Sequence, residues 1–151
     1  MGTPNTIVLK GDPIKKEGVA SEAIKPGRLI EFGGSADLQN HDDADQNARK
    51  AFAVERDMVG DGIDTDYDED DTVVYVVGRS GDEVLARAAA SLDASKGAPL
   101  TSNGDGRLKA WAAQSDSGDG SAEIQNNTIV GYLLEDVTSA TADDPIRVEV
   151  A

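Results

Sequence analysis

Short runs of apolar and β-branched residues recur along the chain, and each run lies between residues that favour turns. The clearest is Thr72 to Val77, an unbroken series of valine and tyrosine that is typical of a strand covered on both faces. Ile146 to Val150 alternates strictly between apolar and polar residues, as a strand with one buried face does. Long segments with a 3.6-residue apolar period are missing from the sequence. The pattern predicts an all-β fold.

Weaker runs of the same kind predict further strands at residues 6–10, 28–32, 51–59, 97–100, 107–112 and 128–137. Residues 83–90 are rich in alanine and fit either a strand or a short helix. Asn103-Gly104-Asp105-Gly106 is a hairpin turn signal, and residues 78–82 have the composition of another hairpin turn. The polar segment 40–50 is predicted to be a loop. These seven or eight short strands favour a small barrel or sandwich that hides its strand edges.

Residues 1–25 are predicted to form an extended arm in front of a β-rich domain at residues 26–151. The arm is broken up by turn-forming residues, which leave no room for a helix: Pro4, Gly11, Pro13 and Gly18. An arm of this kind can add a strand to an exposed sheet edge of a partner. Ile7, Leu9 and Ile14 are the apolar side chains that would anchor it.

The composition makes nucleic acid an unsuitable partner. The 151 residues include 29 Asp and Glu against 14 Lys and Arg, a formal charge of −15 that repels a phosphate backbone. The acids are spread over most of the chain, so the folded protein repels itself unless salt screens the charges, and we expect a halophilic source. Cysteine is absent, which excludes disulfides and thiolate metal sites. With no bilayer-length apolar run and no signal-peptide pattern at the start, no membrane role is expected.

The acidic loop at residues 60–71 superficially resembles a calcium-binding loop. Asp64, Asp66 and Asp68 occupy the first, third and fifth positions of that motif. However, Glu69 stands where the motif requires glycine, and Tyr75 stands where it requires a bidentate glutamate. The three aspartates are therefore only weak cation candidates, and we interpret the loop as a hydrated acidic segment.

The sequence does not support catalysis, so we expect no catalytic residue and no cofactor. His41 lies beside two aspartates, but it is the single histidine, and we interpret it as an exposed loop residue. Serine-nucleophile and phosphate-binding motifs are absent. Trp111 and Tyr132 are compatible with a sugar-stacking platform, although core packing or a subunit contact fits such scarce aromatic residues better.

Several short motifs appear in an order that resembles the head decoration (capsid cement) proteins of tailed viruses. The similarity spans residues 24–151 and rests on these segments: Ile24-Lys25-Pro26-Gly27, Phe52-Ala53-Val54-Glu55, Gly60-Asp61-Gly62-Ile63-Asp64, Gly81-Asp82-Glu83-Val84, Asn103-Gly104-Asp105-Gly106 and Val130-Gly131-Tyr132-Leu133-Leu134-Glu135. The acidity suggests a virus of haloarchaea. The segments at 42–50 and 115–121 depart from the family pattern.

This resemblance implies a non-enzymatic, β-tulip-like protein that forms a homotrimer. Such a protein is made in the host cytoplasm and ends in the virion, on the outer capsid surface. There it binds the major capsid protein and stabilises the contacts between capsomers. Ile7, Leu9, Ile14, Trp111 and Tyr132 are the residues expected at the capsid or subunit interfaces.

Three other functions remain open from the sequence alone. A carbohydrate- or cell-surface-binding module would use Trp111 and the acidic loop as its contacts. A tail-associated structural protein has the same sequence properties as a capsid-bound one. A hydrolase would need two carboxylates in one cleft, which is a weak hypothesis in so acidic a chain.

Overall fold

The computed structural model describes residues 4–113 and 128–151. Over these residues the chain forms eleven β-strands and a single turn of 3-10 helix at Asp57–Val59. The strands are β1 Val8–Lys10, β2 Ile14–Val19, β3 Leu29–Phe32, β4 Leu38–Asn40, β5 Ala51–Ala53, β6 Thr72–Val77, β7 Glu83–Arg87, β8 Pro99–Ser102, β9 Leu108–Ala110, β10 Gly131–Leu133 and β11 Pro145–Val150. The described part of the chain has no helix that could cross a membrane.

The strands form two antiparallel sheets with the same internal order. One sheet has the order β2-β6-β5-β3-β4, and the other has the order β1-β7-β11-β10-β8-β9. When β1 is set aside, each strand of the first sheet has a counterpart five positions later along the chain in the second. Residues 14–78 and 82–151 are therefore two copies of one structural unit, which we call the N-terminal unit and the C-terminal unit.

The hydrogen bonds of the two units also correspond. The Gly27 N–H donates to the Ala53 carbonyl at 2.8 Å, and the Gly97 N–H donates to the Leu133 carbonyl at 2.7 Å. Both glycines have a positive φ, 92° and 89°, a conformation that glycine adopts without strain. In each unit this turn leads directly into the second strand of the unit, so the correspondence extends to single residues.

The five corresponding strands of each unit curl until the first and the last in their order, β2 and β4 or β7 and β9, meet at one end. The residue after β2, Ala20, forms a parallel bridge with Leu38 of β4, and Ala88 after β7 forms the same bridge with Leu108 of β9. Gly18 makes the first closure possible, since a side chain there would collide with Leu38. Each unit is consequently a small, partly closed barrel, which confirms the predicted all-β barrel or sandwich.

Two buried clusters fill the molecule. The interior of the N-terminal barrel is formed by side chains of alternate positions, including Ile30, Val73 and Tyr75. The second cluster fills the C-terminal barrel and continues into the contact between the units, where Phe52 and Leu85 belong to it. The second cluster thus contains residues of both units, and the units cannot be separated without exposing apolar surface.

Several predicted elements are confirmed. The strand at Thr72–Val77 has the predicted bounds, and Pro145–Val150 alternates between half-buried and buried residues. The segment 103–106 joins β8 to β9 as a hairpin. The alanine-rich segment is a strand, β7, since its side chains are buried in the C-terminal barrel.

The predicted hairpin at residues 78–82 is wrong. β6 pairs with β2 and β5, whereas β7 pairs with β1 and β11, so this turn passes the chain from one unit to the other. Turn composition alone cannot distinguish a hairpin from a connection between sheets, because both need the same backbone reversals.

The predicted N-terminal arm also differs from the structure. β1 pairs with β7 at the edge of one sheet, and β2 pairs with β6 along six residues at the edge of the other. Ile7 is fully buried, and its N–H donates to the Glu55 carboxylate at 2.9 Å. The short strand of the predicted arm therefore pairs with a strand of its own chain and not with the sheet edge of a second molecule.

Candidate interaction surfaces

An apolar row lies on the outer face of the C-terminal unit. Tyr132 pairs with Pro99 across β10 and β8, and the Trp111 N–H donates to the Pro99 carbonyl at 2.9 Å. The three residues therefore lie side by side on neighbouring strands, and Tyr132 is 39% exposed. The indole N–H of Trp111 donates to the Thr128 hydroxyl at 2.9 Å, which fixes the half-buried ring. The structure thus brings together the two aromatic residues that the sequence singled out.

The N-terminal unit exposes apolar side chains of its own. Val19 at the end of β2 is 44% exposed, and Phe32 at the end of β3 is 48% exposed. Phe32 meets the Tyr75 ring edge-on at 6.4 Å, and the Arg49 guanidinium lies 5.6 Å from its ring centre. Phe32 is therefore held in place although half of it faces solvent.

A groove runs beside the exposed edge strand β2. Its volume is about 420 Å³, and Glu17, Val74, Met58 and Val59 are among the residues that line it. Met58 and Val59 are strongly exposed and come from the 3-10 turn at Asp57–Val59. The sequence analysis missed this groove and Phe32, although the apolar pair Met58-Val59 before a glycine was a visible signal. Solvated apolar area of this kind is typical of an association surface.

The three cation candidates of the acidic loop do not converge on one point. The Asp66 carboxylate pairs with the Lys25 ammonium at 2.8 Å, and Asp64 pairs with Arg87 at 3.2 Å. The Asp68 N–H donates to the Asp71 carboxylate. Among the described residues, no group of three potential metal ligands is close enough to hold an ion. The loop carboxylates serve local ion pairs and turns.

The interpretation of His41 as an exposed loop residue was wrong. Its ring is buried, with Nδ1 2.8 Å from the Ser102 hydroxyl and Nε2 3.3 Å from the Asn47 carbonyl. Ser102 belongs to the C-terminal unit, so the histidine contributes to the contact between the units.

A second polar contact between the units centres on Asp143. Its carboxylate accepts hydrogen bonds from Arg28 of the N-terminal unit and from Arg107, at 2.8 to 3.1 Å. Burial opposes the ionisation of Asp143, but the hydrogen bonds from Arg107 and Arg28 outweigh it and hold the pKa of this carboxyl far below its usual value. Arg107 also pairs with Asp105 at 2.7 Å. These ion pairs hold Arg28, Arg107 and Asp143 in fixed positions at the contact between the units.

The three predicted anchors of the arm occupy different environments. Ile7 is buried in the core, and Leu9 is half-buried against the same cluster. Ile14 is 47% exposed at the start of β2. Of the three, Ile14 is the side chain most accessible to a partner.

The comparisons with known proteins identify the fold. The chain is similar to the solved structure of the N base of the head fiber protein gp8.5 of bacteriophage phi29, with a TM-score of 0.53 and 14% sequence identity. The similarity covers 91% of this chain and 93% of that one. Neither a family model nor a curated protein sequence matches. The chain therefore shares the fold of a phage head fibre base along almost its whole length.

Proposed function

We propose that this chain is a structural protein of a viral head. The observation that carries the proposal is the shared fold with the phi29 head fiber base across more than nine tenths of both chains. An all-β chain of two small barrels with solvated apolar patches suits a role based on contact area. In this proposal the protein acts without catalysis and without a cofactor.

The finer part of the proposal concerns where the protein binds. We place it on the outer surface of an icosahedral capsid, as a homotrimer that contacts the major capsid protein and stabilises neighbouring capsomers. Exposed Ile14, at the start of an edge strand, is a suitable capsid contact because its side chain and the nearby backbone are both accessible. The net charge of −15 supports a virus of a halophilic host.

The test uses heads that lack the protein. Purified protein is added to such heads in molar KCl, and binding is measured by co-sedimentation and by electron microscopy. We expect density on the outer shell and weaker binding by Ile14→Ser. Asp93→Ser serves as a control for the substitution of an exposed residue on the other unit. Absence of binding to heads, or density on the tail alone, would contradict the proposal.

A further inference from the structure

The two units meet through different surfaces. In the N-terminal unit the contact is made by a row of residues on β3, β5 and the end of β4, namely Leu29, Phe52 and His41, all buried. In the C-terminal unit the contact is made by β7 and by the tip of the β8–β9 hairpin, including Ser102 and Gly106. Because the contact joins the row of one unit to the hairpin of the other, the row of the C-terminal unit and the hairpin of the N-terminal unit remain unused.

The unused row lies on the C-terminal unit. By the correspondence of strands and hydrogen bonds, Tyr132 matches Phe52, Pro99 matches Leu29 and Trp111 matches His41. The His41 N–H donates to the Leu29 carbonyl at 2.9 Å, just as the Trp111 N–H donates to the Pro99 carbonyl. The row is therefore the same structural feature, but in the C-terminal unit Tyr132 is 39% exposed and Pro99 and Trp111 are only half-buried, whereas their counterparts are fully buried.

The unused hairpin lies on the N-terminal unit. Phe32 matches Ser102, and Ala36 matches Gly106 at the tip of an equally long hairpin. Ala36 and Gly106 both have a positive φ, 66° and 79°. Within the chain, Ser102 contacts His41. In the equivalent contact between two chains, half-exposed Phe32 would meet Trp111.

Complementary sizes and charges favour a second copy as the occupant. Inside the chain, Gly106 lies so close to Arg28 and Asn40 that a side chain would not fit. The matching residues on the exposed unit are Ala98 and Ala110, which are smaller and leave room for the Ala36 methyl group.

The charges follow the same correspondence. A Cβ atom on Gly27 would lie 2.7 Å from the Leu85 carbonyl, so these two residues touch across the unit contact. Their counterparts are Gly97 and Glu17. Lys96 precedes Gly97, and both Lys96 and Glu17 are exposed, so this contact between chains would join opposite charges.

We propose that copies of this chain associate head to tail, with the Phe32 hairpin and Glu17 of one copy docked on the Trp111–Tyr132 row and Lys96 of the next. The contact repeats the one between the two units within each chain. Pro99 has no N–H, so the hydrogen bond from the Leu29 N–H to the Gly106 carbonyl has no counterpart, and apolar contact takes its place. The proposal names the surfaces through which the homo-oligomer of the proposed function would form, and to that extent it rests on the proposed function.

Sedimentation velocity in molar KCl is the first test. We expect the wild-type chain to be oligomeric and Phe32→Ser, Trp111→Ser and Tyr132→Ser each to be monomeric with unchanged circular dichroism. Ile14→Ser is the matched control, because it removes an equally exposed apolar side chain outside both surfaces. A monomeric wild-type chain, or hairpin and row variants that keep the wild-type mass, would overturn the proposal.

Mixing the variants tests the head-to-tail arrangement. Phe32→Ser retains the row, and Trp111→Ser retains the hairpin, so an equimolar mixture has one intact contact and should form heterodimers but nothing larger. Tyr132→Ser replaces Trp111→Ser if the latter misfolds. Failure of the mixture to form heterodimers would contradict this arrangement.

Charge exchange and fluorescence complete the test. Glu17→Lys and Lys96→Glu should each weaken association, and the double variant should restore it. Trp111 is the single tryptophan of the chain, so its emission should shift to the red on dilution of the wild type and stay red in Phe32→Ser at all concentrations. These measurements use no capsids, so they can fail while capsid binding succeeds, and the reverse.

Discussion

At the scale of single residues, Arg87 is the side chain that binds the two units together. It is buried, its Nε–H donates to the Pro26 carbonyl at 2.8 Å, and its other nitrogens donate to the carbonyls of Ile63 and Asp143. A guanidinium can satisfy several carbonyl acceptors at once because its donors lie in one rigid plane. The residue at the matching position of the N-terminal unit is Val19, which is exposed and has no such role.

We expect Arg87→Met to lower the free energy of unfolding by about 3 kcal/mol or more, because three carbonyls lose their donor at a buried contact. Arg87→Lys should recover only part of the loss, since an ammonium group lacks the planar fork. Urea unfolding in molar KCl measures both. Arg79→Met changes an exposed arginine and should have little effect. Equal effects at the two positions would show that the arginine does not hold the units together.

Asp143 makes the contact between units sensitive to pH. Because its pKa is lowered in the folded state, its contribution to stability is complete above the unfolded value of about 3.9 and is lost as pH falls through the folded pKa. Asp143→Asn removes the charge and tolerates the positive φ of 68° at this position. We expect the variant to be less stable by about 2 kcal/mol at pH 7, with the difference shrinking in acid.

Urea unfolding between pH 7 and pH 2 measures this difference, because the stabilisation is lost only below the unfolded value of about 3.9. Asp12→Asn, an exposed aspartate, is the control and should follow the wild type at every pH. A difference between Asp143→Asn and wild type that does not change with pH would mean that the ion pairs contribute no pH-dependent stability.

At the scale of elements, the segment before residue 25 shows why strand signals alone were insufficient. β1 and β2 are edge strands of different sheets, and the residues of this segment that reach the core, Ile7, Ala20 and Ile24, lie outside both strands. The sequence of β2, Ile14 to Val19, carries two lysines and a glutamate among its six residues, so it has no apolar pattern. Exposed edge strands are held by backbone pairing, which leaves little trace in the sequence.

The isoleucines of this segment provide a direct test. Ile7→Ala should lower the free energy of unfolding by about 3 kcal/mol, because it removes a fully buried side chain. Ile14→Ala, at a half-exposed position in the same segment, should change it by less than about 0.5 kcal/mol. Thermal and urea unfolding measure both. Similar small effects at the two positions would support a free arm instead of a paired one.

The strands with a buried face could be predicted from the sequence, and the relation between the units could not. β6 and β11 carry apolar residues at the positions that fill the barrels, so their patterns were clear. The duplication is hidden because few matched positions keep the same residue, as Tyr75 and Val148 illustrate. The retained residues are scattered, such as Gly27 and Gly97 at a turn and Leu38 and Leu108 at the barrel closure. The surface residues were also only partly predictable. Trp111 and Tyr132 could be singled out from the sequence because aromatic residues are scarce, but the exposure of Phe32 became visible only in the fold.

At the scale of the whole molecule, two features act in opposite directions. The buried apolar contact between the units joins two barrels that would each be small on its own, and this favours the folded chain. The net charge of −15 acts against any compact state, and it acts more strongly when several chains are brought together. Which effect dominates depends on the salt concentration, because screening weakens the net repulsion of the excess negative charge and leaves the burial of apolar surface in place.

We therefore expect both stability and association to rise with salt. The Debye length falls from about 10 Å at 0.1 M to about 3 Å at 1 M, which is shorter than most distances between the surface carboxylates. Thermal unfolding in increasing KCl should give a rising midpoint, with a smaller slope in a variant that neutralises three exposed acids of the loop, Asp68→Asn, Glu69→Gln and Asp70→Asn. Sucrose, which screens no charge, should leave the difference between the two proteins unchanged. If the slopes in KCl were equal, ordinary salting-out would explain the effect, and the acidic loop would have no part in the dependence of stability on salt.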